Sequence, residues 1–331
     1  MSSIRDVAAE AGVSISTVSK VLKNYPYISE ETKAKVHEAI DKLHYVPNAV
    51  AAALSSKKSG RIALLLNLFN AEAAIDEIDM QYIAGAIEKA NELKLDCITV
   101  FFSMIKDMSL QEMKDYFRSQ SIEGIVIFGL NKECATVHAL VESGDFKTVC
   151  VDAPLVSETS SCVWVDQVGA QYDVAKKTIT TNLGPQQKVL YIHGKENNYV
   201  TGERRKGIYK LQKELHFDLK EECADFSELK AREIAFRYAR DVDIVVCASD
   251  AMAIGAMKAF IEEDVFHPVC GFDGIALMAY AGKQMYTVSQ NFTKLSGEAV
   301  CEIERLLKGE KGREVVLPYE VTQLYYLDLI K

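Results

Sequence analysis

From residue 61 to the end of the chain, short apolar runs rich in β-branched residues alternate with longer helical patterns. The apolar runs lie at residues 62–68, 97–103, 124–130, 148–152, 162–166, 188–193, 243–249 and 286–290. Helical patterns separate most of these runs, for example at residues 80–93, 109–120, 203–214 and 250–262. This alternation predicts parallel sheets with helices on both faces. So many strands exceed one mononucleotide-binding unit, and we therefore expect an α/β body of two doubly wound lobes.

The segment before residue 47 has no strand pattern and predicts a small all-α head with three helices. Ser3 can cap the first helix, and Gly12 ends it. Ser14 or Ser16 can cap a second, short helix, and Ser29 can cap a third. Two short helices joined by a tight turn form the helix-turn-helix unit, whose second helix fits the major groove of DNA.

The charge of the chain is divided unevenly between these two parts. Residues 1–58 contain eight Lys or Arg and six Asp or Glu, whereas the remainder carries 30 basic and 41 acidic residues. The head is therefore slightly basic, although the whole chain has a formal net charge of −9. A basic head on an acidic body is typical of a protein that binds nucleic acid through one domain only.

Several function classes lack their signatures in this sequence. The chain starts with polar residues, and no apolar run approaches the ~20 residues that span a bilayer. The eight cysteines are scattered without a Cys-x-x-Cys pair, which indicates buried thiols in a reducing compartment. Residues 202–207 have the spacing of a phosphate-binding loop, but Ile208 and Tyr209 replace the Lys and Ser/Thr that it needs. We expect a cytoplasmic protein that is not an enzyme and that holds no cofactor and no metal.

Three segments of the head closely resemble the start of the lactose-repressor (LacI/GalR) family of transcription regulators. They are residues 4–22, residues 28–32 (Ile-Ser-Glu-Glu-Thr) and residues 45–48 (Tyr-Val-Pro-Asn). The rest of the chain resembles the sensor domain of the same family, which is itself similar to periplasmic sugar-binding proteins.

This resemblance implies a division of the chain into three parts. They are a helix-turn-helix DNA-binding domain at residues 1–46, a hinge helix and linker at 47–60, and an effector-binding and dimerisation domain at 61–331. The last part would form two lobes, the first from about 61–160 and 291–318 and the second from about 161–290 and 319–331.

Matched residue by residue, the resemblance assigns DNA contacts to the second helix and its flanks. It implies that bases are read by Ile15, Ser16 and Lys20. The phosphate contacts that it implies fall on Ser14, Thr17, Ser19, Lys23 and Tyr27. Hydroxyl and amino groups suit phosphate oxygens, and a lysine can donate to guanine O6 or N7. Lys20 stands where the family more often has Arg, so the bidentate fork of a guanidinium is lost.

The segment after the head predicts a very short helix. Asn48 can cap it, but a helix of so few residues does not persist alone in water. In the resembled family this helix forms on DNA against its dimer mate, and Leu54 falls where a leucine wedges into the minor groove. Ala51 is one of several alanines that would allow the two hinge helices to approach closely.

Four segments of the body resemble the effector-binding segments of the family, at residues 149–152, 204–207, 249–255 and 271–274. The resemblance implies effector contacts from Asp152, Arg204, Phe226, Ser249, Asp273, Gln290 and Phe292. Carboxylates accept hydrogen bonds from vicinal hydroxyl groups, an arginine donates two parallel bonds, and aromatic rings cover the apolar face of a sugar. Ser249 and Gly274 depart from the Asn and Asp that are usual at their positions.

The resulting hypothesis is a homodimeric repressor that binds double-stranded operator DNA in a sequence-specific manner. A small effector between the lobes, expected to be a sugar or sugar derivative, would control its affinity for DNA. Two alternatives stay open: a catabolite-type regulator with a phosphorylated protein as corepressor, and a repressor that responds to a nucleobase or nucleoside. A transport-linked binding protein would need a signal peptide and no DNA-binding head, and a nucleotide-using enzyme would need the motifs that are missing here.

Overall fold

A computed structural model describes residues 3–22, 25, 27–45, 60–67, 77–182 and 187–325 of the chain. The chain divides into two compact units, Met1–Ser59 and Gly60–Lys331, which we call the head and the body. The described helices are α1 (Ile4–Glu10), α2 (Ile15–Leu22), α3 (Glu30–Lys42), α4 (Glu77–Glu92), α5 (Phe102–Ile105), α6 (Leu110–Ser119), α7 (Ala135–Glu142), α8 (Gln167–Thr181), α9 (Tyr199–Leu215), α10 (Glu228–Tyr238), α11 (Asp250–Glu262) and α12 (Phe292–Leu307), with a 3₁₀ helix at Ala276–Tyr280. The described strands are β1 (Arg61–Leu66), β2 (Asp96–Phe101), β3 (Ile122–Phe128), β4 (Lys147–Val151), β5 (Ser160–Val165), β6 (Lys188–His193), β7 (Asp218–Cys223), β8 (Ile244–Cys247), β9 (Val269–Cys270), β10 (Tyr286–Ser289), β11 (Glu314–Leu317) and β12 (Glu320–Gln323).

The head is a three-helix unit in which serine side chains cap the N-terminal ends of the helices. Ser3 caps α1 in a capping box with Asp6, and Ser29 caps α3. Gly12 adopts a φ of 63°, which lets the chain turn sharply between α1 and α2. Ser14, the first of the two expected caps of α2, accepts a hydrogen bond from the backbone N–H of Thr17 at 3.1 Å. The small core of the head is formed by Val7, Ala8, Val18, Val21, Val36 and Ala39.

The first lobe of the body is built on a sheet with the strand order β11-β5-β4-β3-β1-β2, in which every pairing is parallel. β1 is buried on both faces, which explains its unbroken apolar sequence. Its residues Ile62 and Leu64 pack into one core with α4 and α12. The intervening residues Ala63 and Leu65 pack into another core with α6 and α7.

The second lobe contains a similar sheet with the strand order β12-β10-β9-β8-β6-β7. Its pairings are parallel, except that β12 runs antiparallel to β10. A continuous core joins this sheet to α8, α9, α10 and α11. The body therefore contains two doubly wound α/β lobes, as the alternation of strands and helices predicts.

The chain passes between the lobes after β5, after β10 and between β11 and β12. The lobe boundary expected near residue 160 is therefore wrong in detail. Residues 161–165 belong to β5, which pairs with β4 and β11 of the first sheet, so the second lobe begins after β5. β7, β9, β11 and β12 are further strands that the sequence pattern does not predict.

The cysteines are not all buried, contrary to expectation. Cys150, Cys162, Cys247 and Cys270 lie in the cores, but Cys223 is exposed and the other three are half-buried. Within the described ranges, no three His, Cys, Asp or Glu side chains are grouped so that they could hold a metal ion. None of the described helices has the length and apolar character needed to cross a membrane.

Candidate functional site

The second helix of the head, α2, separates its core side from an exposed polar side. Val18 and Val21 are buried in the core of the head. The three residues expected to read bases, Ile15, Ser16 and Lys20, are all exposed. Since a buried residue cannot reach a base edge, this exposure satisfies a necessary condition for contact with DNA.

The residues expected to contact phosphates lie around the start and along one side of α2. Ser14 is exposed, and its hydroxyl lies within hydrogen-bonding distance of the hydroxyls of Ser16 (2.7 Å) and Thr17 (2.8 Å). Ser19 is half-buried, and Tyr27 is 93% exposed. Lys23 and the hinge residues Asn48, Ala51 and Leu54 lie outside the described residues.

A cavity of about 310 Å³ lies in the body, and both lobes contribute to its walls. The residues that line it include all seven expected to bind an effector: Asp152, Arg204, Phe226, Ser249, Asp273, Gln290 and Phe292. Several of these residues directly follow a strand or begin a helix. Asp152 comes after β4 and Ser249 caps α11, for example. Ligands of open α/β sheets bind at this carboxyl edge of the strands.

Arg204, in α9, is the centre of the polar contacts in this cavity. Its side chain is almost buried, with 5% of its area exposed. Nε donates to Oε1 of Gln167 at 2.8 Å, and Nη1 donates to the carbonyl oxygen of Ala248. The guanidinium also lies 3.6 Å from the ring centre of Phe272, and Nη1 lies 3.6 Å from Oδ1 of Asp273. These contacts fix the guanidinium against the floor of the cavity.

Two amides connect the carboxylates of opposite lobes. Gln167 Nε2 donates to Oδ1 of Asp152 at 3.1 Å and to Oε1 of Gln290 at 3.3 Å. Gln290 Nε2 in turn donates to Oδ1 of Asp273 at 3.0 Å. On the other side, the hydroxyl of Tyr82 donates to Oδ2 of Asp152 at 3.1 Å. The result is a continuous hydrogen-bonded chain across the base of the cavity.

Gln167 and Tyr82 are site residues that sequence reasoning missed. Both lie in amphipathic helices, α8 and α4, where a glutamine or a tyrosine is unremarkable. We find no sequence signal that marks either residue as part of the site.

Asp250 holds the loop that carries Asp273 in place. Its Oδ2 accepts from the backbone N–H groups of Gly274 (2.8 Å) and Ile275 (2.9 Å). Its Oδ1 accepts from the hydroxyl of Thr287 at 2.6 Å. Asp250 is adjacent to Ser249 in the sequence, but its carboxylate binds the loop and does not line the cavity. Asp250 therefore affects the site by holding the loop that carries Asp273.

The carboxyl groups of the site are held where ionisation is disfavoured. Burial raises the pKa of Asp273; the positive charge of Arg204 opposes this shift, and the neighbouring Asp250 adds to it. Burial likewise raises the pKa of Asp152 and of Asp250. Asp152 and Asp273 also have positive φ values, 60° and 131°. Strained, desolvated carboxyl groups that converge on one cavity are typical of a ligand-binding site.

Two contacts in which a backbone N–H is the donor join the lobes beside the cavity. Both carboxylate oxygens of Glu77, at the start of α4, accept from the N–H of Ala276 in the second lobe, at 2.9 and 3.1 Å. Elsewhere, the N–H of Lys132, after β3, donates to the carbonyl oxygen of Asn197 at 2.9 Å. These contacts connect the lobes in addition to the hydrogen bond from Gln167 to Asp152 and the three passages of the chain between the sheets.

The head and the body together define a class of protein. The head is a helix-turn-helix unit with an exposed polar second helix, and the body is a two-lobed domain of the binding-protein type with a cavity between its lobes. Residues 3–48 match the family of bacterial regulatory proteins called the lacI family, and residues 68–311 match the periplasmic binding protein domain. The chain therefore joins a DNA-binding head of the lacI family to a periplasmic binding protein domain, and it is a DNA-binding transcriptional regulator.

Individual proteins resemble the chain over nearly its whole length. The HTH-type transcriptional regulator RegA of Clostridium saccharobutylicum is 26% identical over 337 residues, which cover 97% of this chain and 98% of RegA. The structure of the lac repressor dimer bound to operator and the anti-inducer ONPF has a TM-score of 0.81 at 21% identity and covers 97% of both chains. The complex of the transcriptional regulator CelR with cellobiose has a TM-score of 0.70 at 21% identity and covers 97% of this chain and 98% of CelR. The family and the fold class that the sequence predicts are thus confirmed.

Proposed function

We propose that this regulator is a cytoplasmic homodimeric repressor that binds operator DNA through its head. A sugar or sugar derivative in the body cavity would change the affinity for DNA. The observation that carries this proposal is the pairing, in one chain, of an exposed α2 face with a polar cavity lined by both lobes. We propose a binding role without enzymatic activity, since the relatives named above are regulators.

The exposed side of α2 supports the DNA-binding part of the proposal. We propose that Ile15, Ser16 and Lys20 read base edges, while Ser14, Thr17, Ser19, Lys23 and Tyr27 contact phosphates. A helix with hydroxyl groups at its start and a lysine farther along offers donors to both phosphate oxygens and guanine. The hinge roles of Asn48, Ala51 and Leu54 remain part of this proposal.

The contents of the cavity support the effector part. Carboxylate and amide oxygens accept hydrogen bonds from hydroxyl groups, while Phe226 and Phe292 offer flat apolar surfaces. The structurally similar CelR was solved with cellobiose, which shows that this fold can hold a sugar. The cavity residues come from both lobes, so an effector would bias the angle between the lobes.

The surface of α4 supports the homodimer. Met80 and Ile87 are both exposed and lie seven residues apart, so they share one face of α4. Exposed apolar side chains in line on a helix favour an interface. The similar lac repressor was solved as a dimer on its operator.

The proposal is tested by selecting DNA sequences that the full-length protein binds and measuring the affinity for them by fluorescence anisotropy. The Lys20→Ala variant should lose its preference at one base pair per half-site, at a cost of about 1–3 kcal/mol for the preferred base. The Lys35→Ala variant is the matched control. It removes the same charge from α3, where Lys35 pairs with Glu31 at 2.8 Å, and should leave the sequence preference unchanged.

A second measurement adds sugars to the complex of protein and selected DNA. An effector should change the affinity for DNA by roughly 5–150-fold, the usual range of allosteric coupling. Failure to select any preferred duplex would refute the DNA-binding part. A preferred duplex whose affinity responds to no sugar would refute the effector part alone.

A further inference from the structure

Gln167 lies beneath the cavity and does not belong to its wall. It is only 2% exposed, and it is absent from the residues that line the cavity. It lies two residues after β5, where the chain passes from the first lobe to the second for the first time. A side chain at this position can act on both lobes without contact with a ligand.

The described hydrogen bonds of the Gln167 amide all join it to residues of the cavity wall. Nε2 donates to Oδ1 of Asp152 at 3.1 Å and to Oε1 of Gln290 at 3.3 Å, and Oε1 accepts from Nε of Arg204 at 2.8 Å. All three partners line the cavity. Because an arginine side chain has donors only, it must face the amide oxygen, and the amide NH2 group must then face Asp152 and Gln290. The chemistry of the partners therefore permits one orientation of the amide.

A second glutamine on α8 shows that burial alone does not produce such contacts. Gln171 lies one turn farther along the helix and is fully buried. Among the described residues, neither polar atom of its amide has a hydrogen-bond partner. Gln167 therefore differs from Gln171 in what its amide binds, although both are buried on the same helix.

The contacts of Gln167 are divided between the two lobes. Arg204 lies in α9 of the second lobe, as Gln167 does in α8, whereas Asp152 follows β4 of the first lobe. The bond to Asp152 is therefore a contact between the lobes, directly beside a crossing of the chain. A hydrogen bond to a carboxylate is stronger than one between neutral groups, so this bond can restrain the angle between the lobes.

We infer that Gln167 is a positioning residue of the effector site, which holds Arg204 and Asp152 in the cavity wall and restrains the angle between the lobes. This inference rests on the proposed function, because it assigns a role in the same cavity. Gln167 acts through its partners and does not itself contact the ligand. Its two effects are separable, because the amide oxygen binds Arg204 and the NH2 group binds Asp152.

The test uses two substitutions of Gln167 and one matched control. Gln167→Met removes both halves of the amide. Gln167→Glu keeps an oxygen that accepts from Arg204, but an ionised carboxylate cannot donate to Asp152 at neutral pH. Gln171→Met makes the same change on the same helix, at a position where no described hydrogen bond is lost. If Gln167→Met fails to fold, Gln167→Glu still tests the contact between the lobes.

Two hydrogen-exchange rates of the full-length protein, measured by NMR at neutral pH, give the result without DNA or sugar. The Nε–H of Arg204 should exchange about tenfold faster in Gln167→Met, which removes its acceptor, and no faster than in the parent in Gln167→Glu and Gln171→Met. The amide of Lys132 donates to Asn197 across the lobes at 2.9 Å. It should exchange about tenfold faster in both Gln167 variants, because the lobes separate more readily, and at the parent rate in Gln171→Met.

An unchanged rate at Arg204 in Gln167→Met, or an unchanged rate at Lys132 in the Gln167 variants, would overturn the inference. Equal acceleration in Gln171→Met would overturn it too, because any substitution of a buried residue in α8 would then have the same effect. These rates do not depend on the experiments with DNA and sugars. If those experiments fail while the rates change as expected, the proposed function is refuted, and the role of Gln167 in joining the lobes is supported.

Discussion

Asp273 has a carboxyl group that lines the cavity and is largely buried in the folded protein. The residue lies in a buried loop after β9, and its Oδ1 accepts from Gln290 at 3.0 Å and lies 3.6 Å from Arg204. Burial raises the pKa of this carboxyl, although Arg204 opposes the shift. The folded protein therefore holds a proton that the unfolded chain releases near its ordinary pKa of 3.8.

This pKa makes stability depend on pH in a definite direction. Because the folded state binds the extra proton, the free energy of unfolding falls as pH rises above the unfolded pKa. The Asp273→Asn variant has no carboxyl group to titrate at this position, so its free energy of unfolding does not fall for this reason. Relative to the parent, the variant should therefore gain stability as pH rises, by up to about 1.4 kcal/mol per pH unit. Urea denaturation at about pH 5.5 and about pH 7.5 measures the change.

The control for this prediction is Asp107→Asn, which removes an exposed carboxylate. Its stability relative to the parent should not change between the two pH values. If Asp273→Asn behaves in the same way as Asp107→Asn, the carboxyl of Asp273 is ionised in the folded protein at both pH values, and the proposed effect of burial is wrong.

Whether the sequence predicts a residue of the site depends on whether that residue follows a strand or lies on a helix. Asp152, Ser249 and Asp273 follow strands, and the strand pattern alone brings such positions to one edge of a sheet. Gln167 and Tyr82 enter through helices, and their roles depend on which side of α8 and α4 meets the other lobe. That choice is made by packing between distant segments, which no local pattern in the sequence contains.

At the scale of elements, the helices α4 and α12 pack closely against each other in the first lobe. A methyl group at Gly85 of α4 would overlap the carbonyl oxygen of Thr293 in α12. Gly297, in α12 at the same contact, has nothing nearer than 3.8 Å to the position of such a group. Gly85 and Gly297 therefore lie in the same helix contact, but only Gly85 has no room for a side chain.

We predict opposite effects of alanine at these two positions. Gly85→Ala should destabilise the protein by about 1–3 kcal/mol, because the added methyl forces the two helices apart. Gly297→Ala should stabilise it by about 0.5–1 kcal/mol, because alanine is the better helix former and finds ordinary contact distances. Chemical denaturation of both variants gives the sign of each change, and equal effects at the two positions would contradict the packing described here.

Most of the strands that the sequence pattern misses lie at the edges of the sheets, namely β7, β11 and β12, although the edge strand β2 is predicted. β1, β3, β4, β6 and β8 are central strands with both faces buried, and such strands have continuous apolar sequences. β7 is an edge strand with the polar sequence Asp-Leu-Lys-Glu-Glu-Cys, and β9 has only two residues. Edge strands bury little, so pairing with a neighbour rather than hydrophobicity defines them.

At the scale of the whole body, the two lobes are joined by contacts on the Glu77 side and on the Lys132 side of the cavity. Glu77 accepts from the N–H of Ala276, and the N–H of Lys132 donates to the carbonyl oxygen of Asn197. Each lobe has its own core, which makes it a rigid unit that can rotate about the connecting segments. If the lobes do rotate as rigid units, loosening one contact must weaken the other.

Glu77→Ala tests this coupling by hydrogen exchange at two backbone amides. The amide of Ala276 should exchange about tenfold faster, because it loses a charged acceptor worth about 1.5 kcal/mol or more. The amide of Lys132 should also exchange faster, although Glu77 does not contact it, because opening at one contact carries the whole second lobe with it. Glu88→Ala, an exposed change on the same helix, should alter neither amide. Faster exchange at Ala276 with no change at Lys132 would mean that each contact opens by itself. A hinge between rigid lobes would then be the wrong description of how this body responds to an effector.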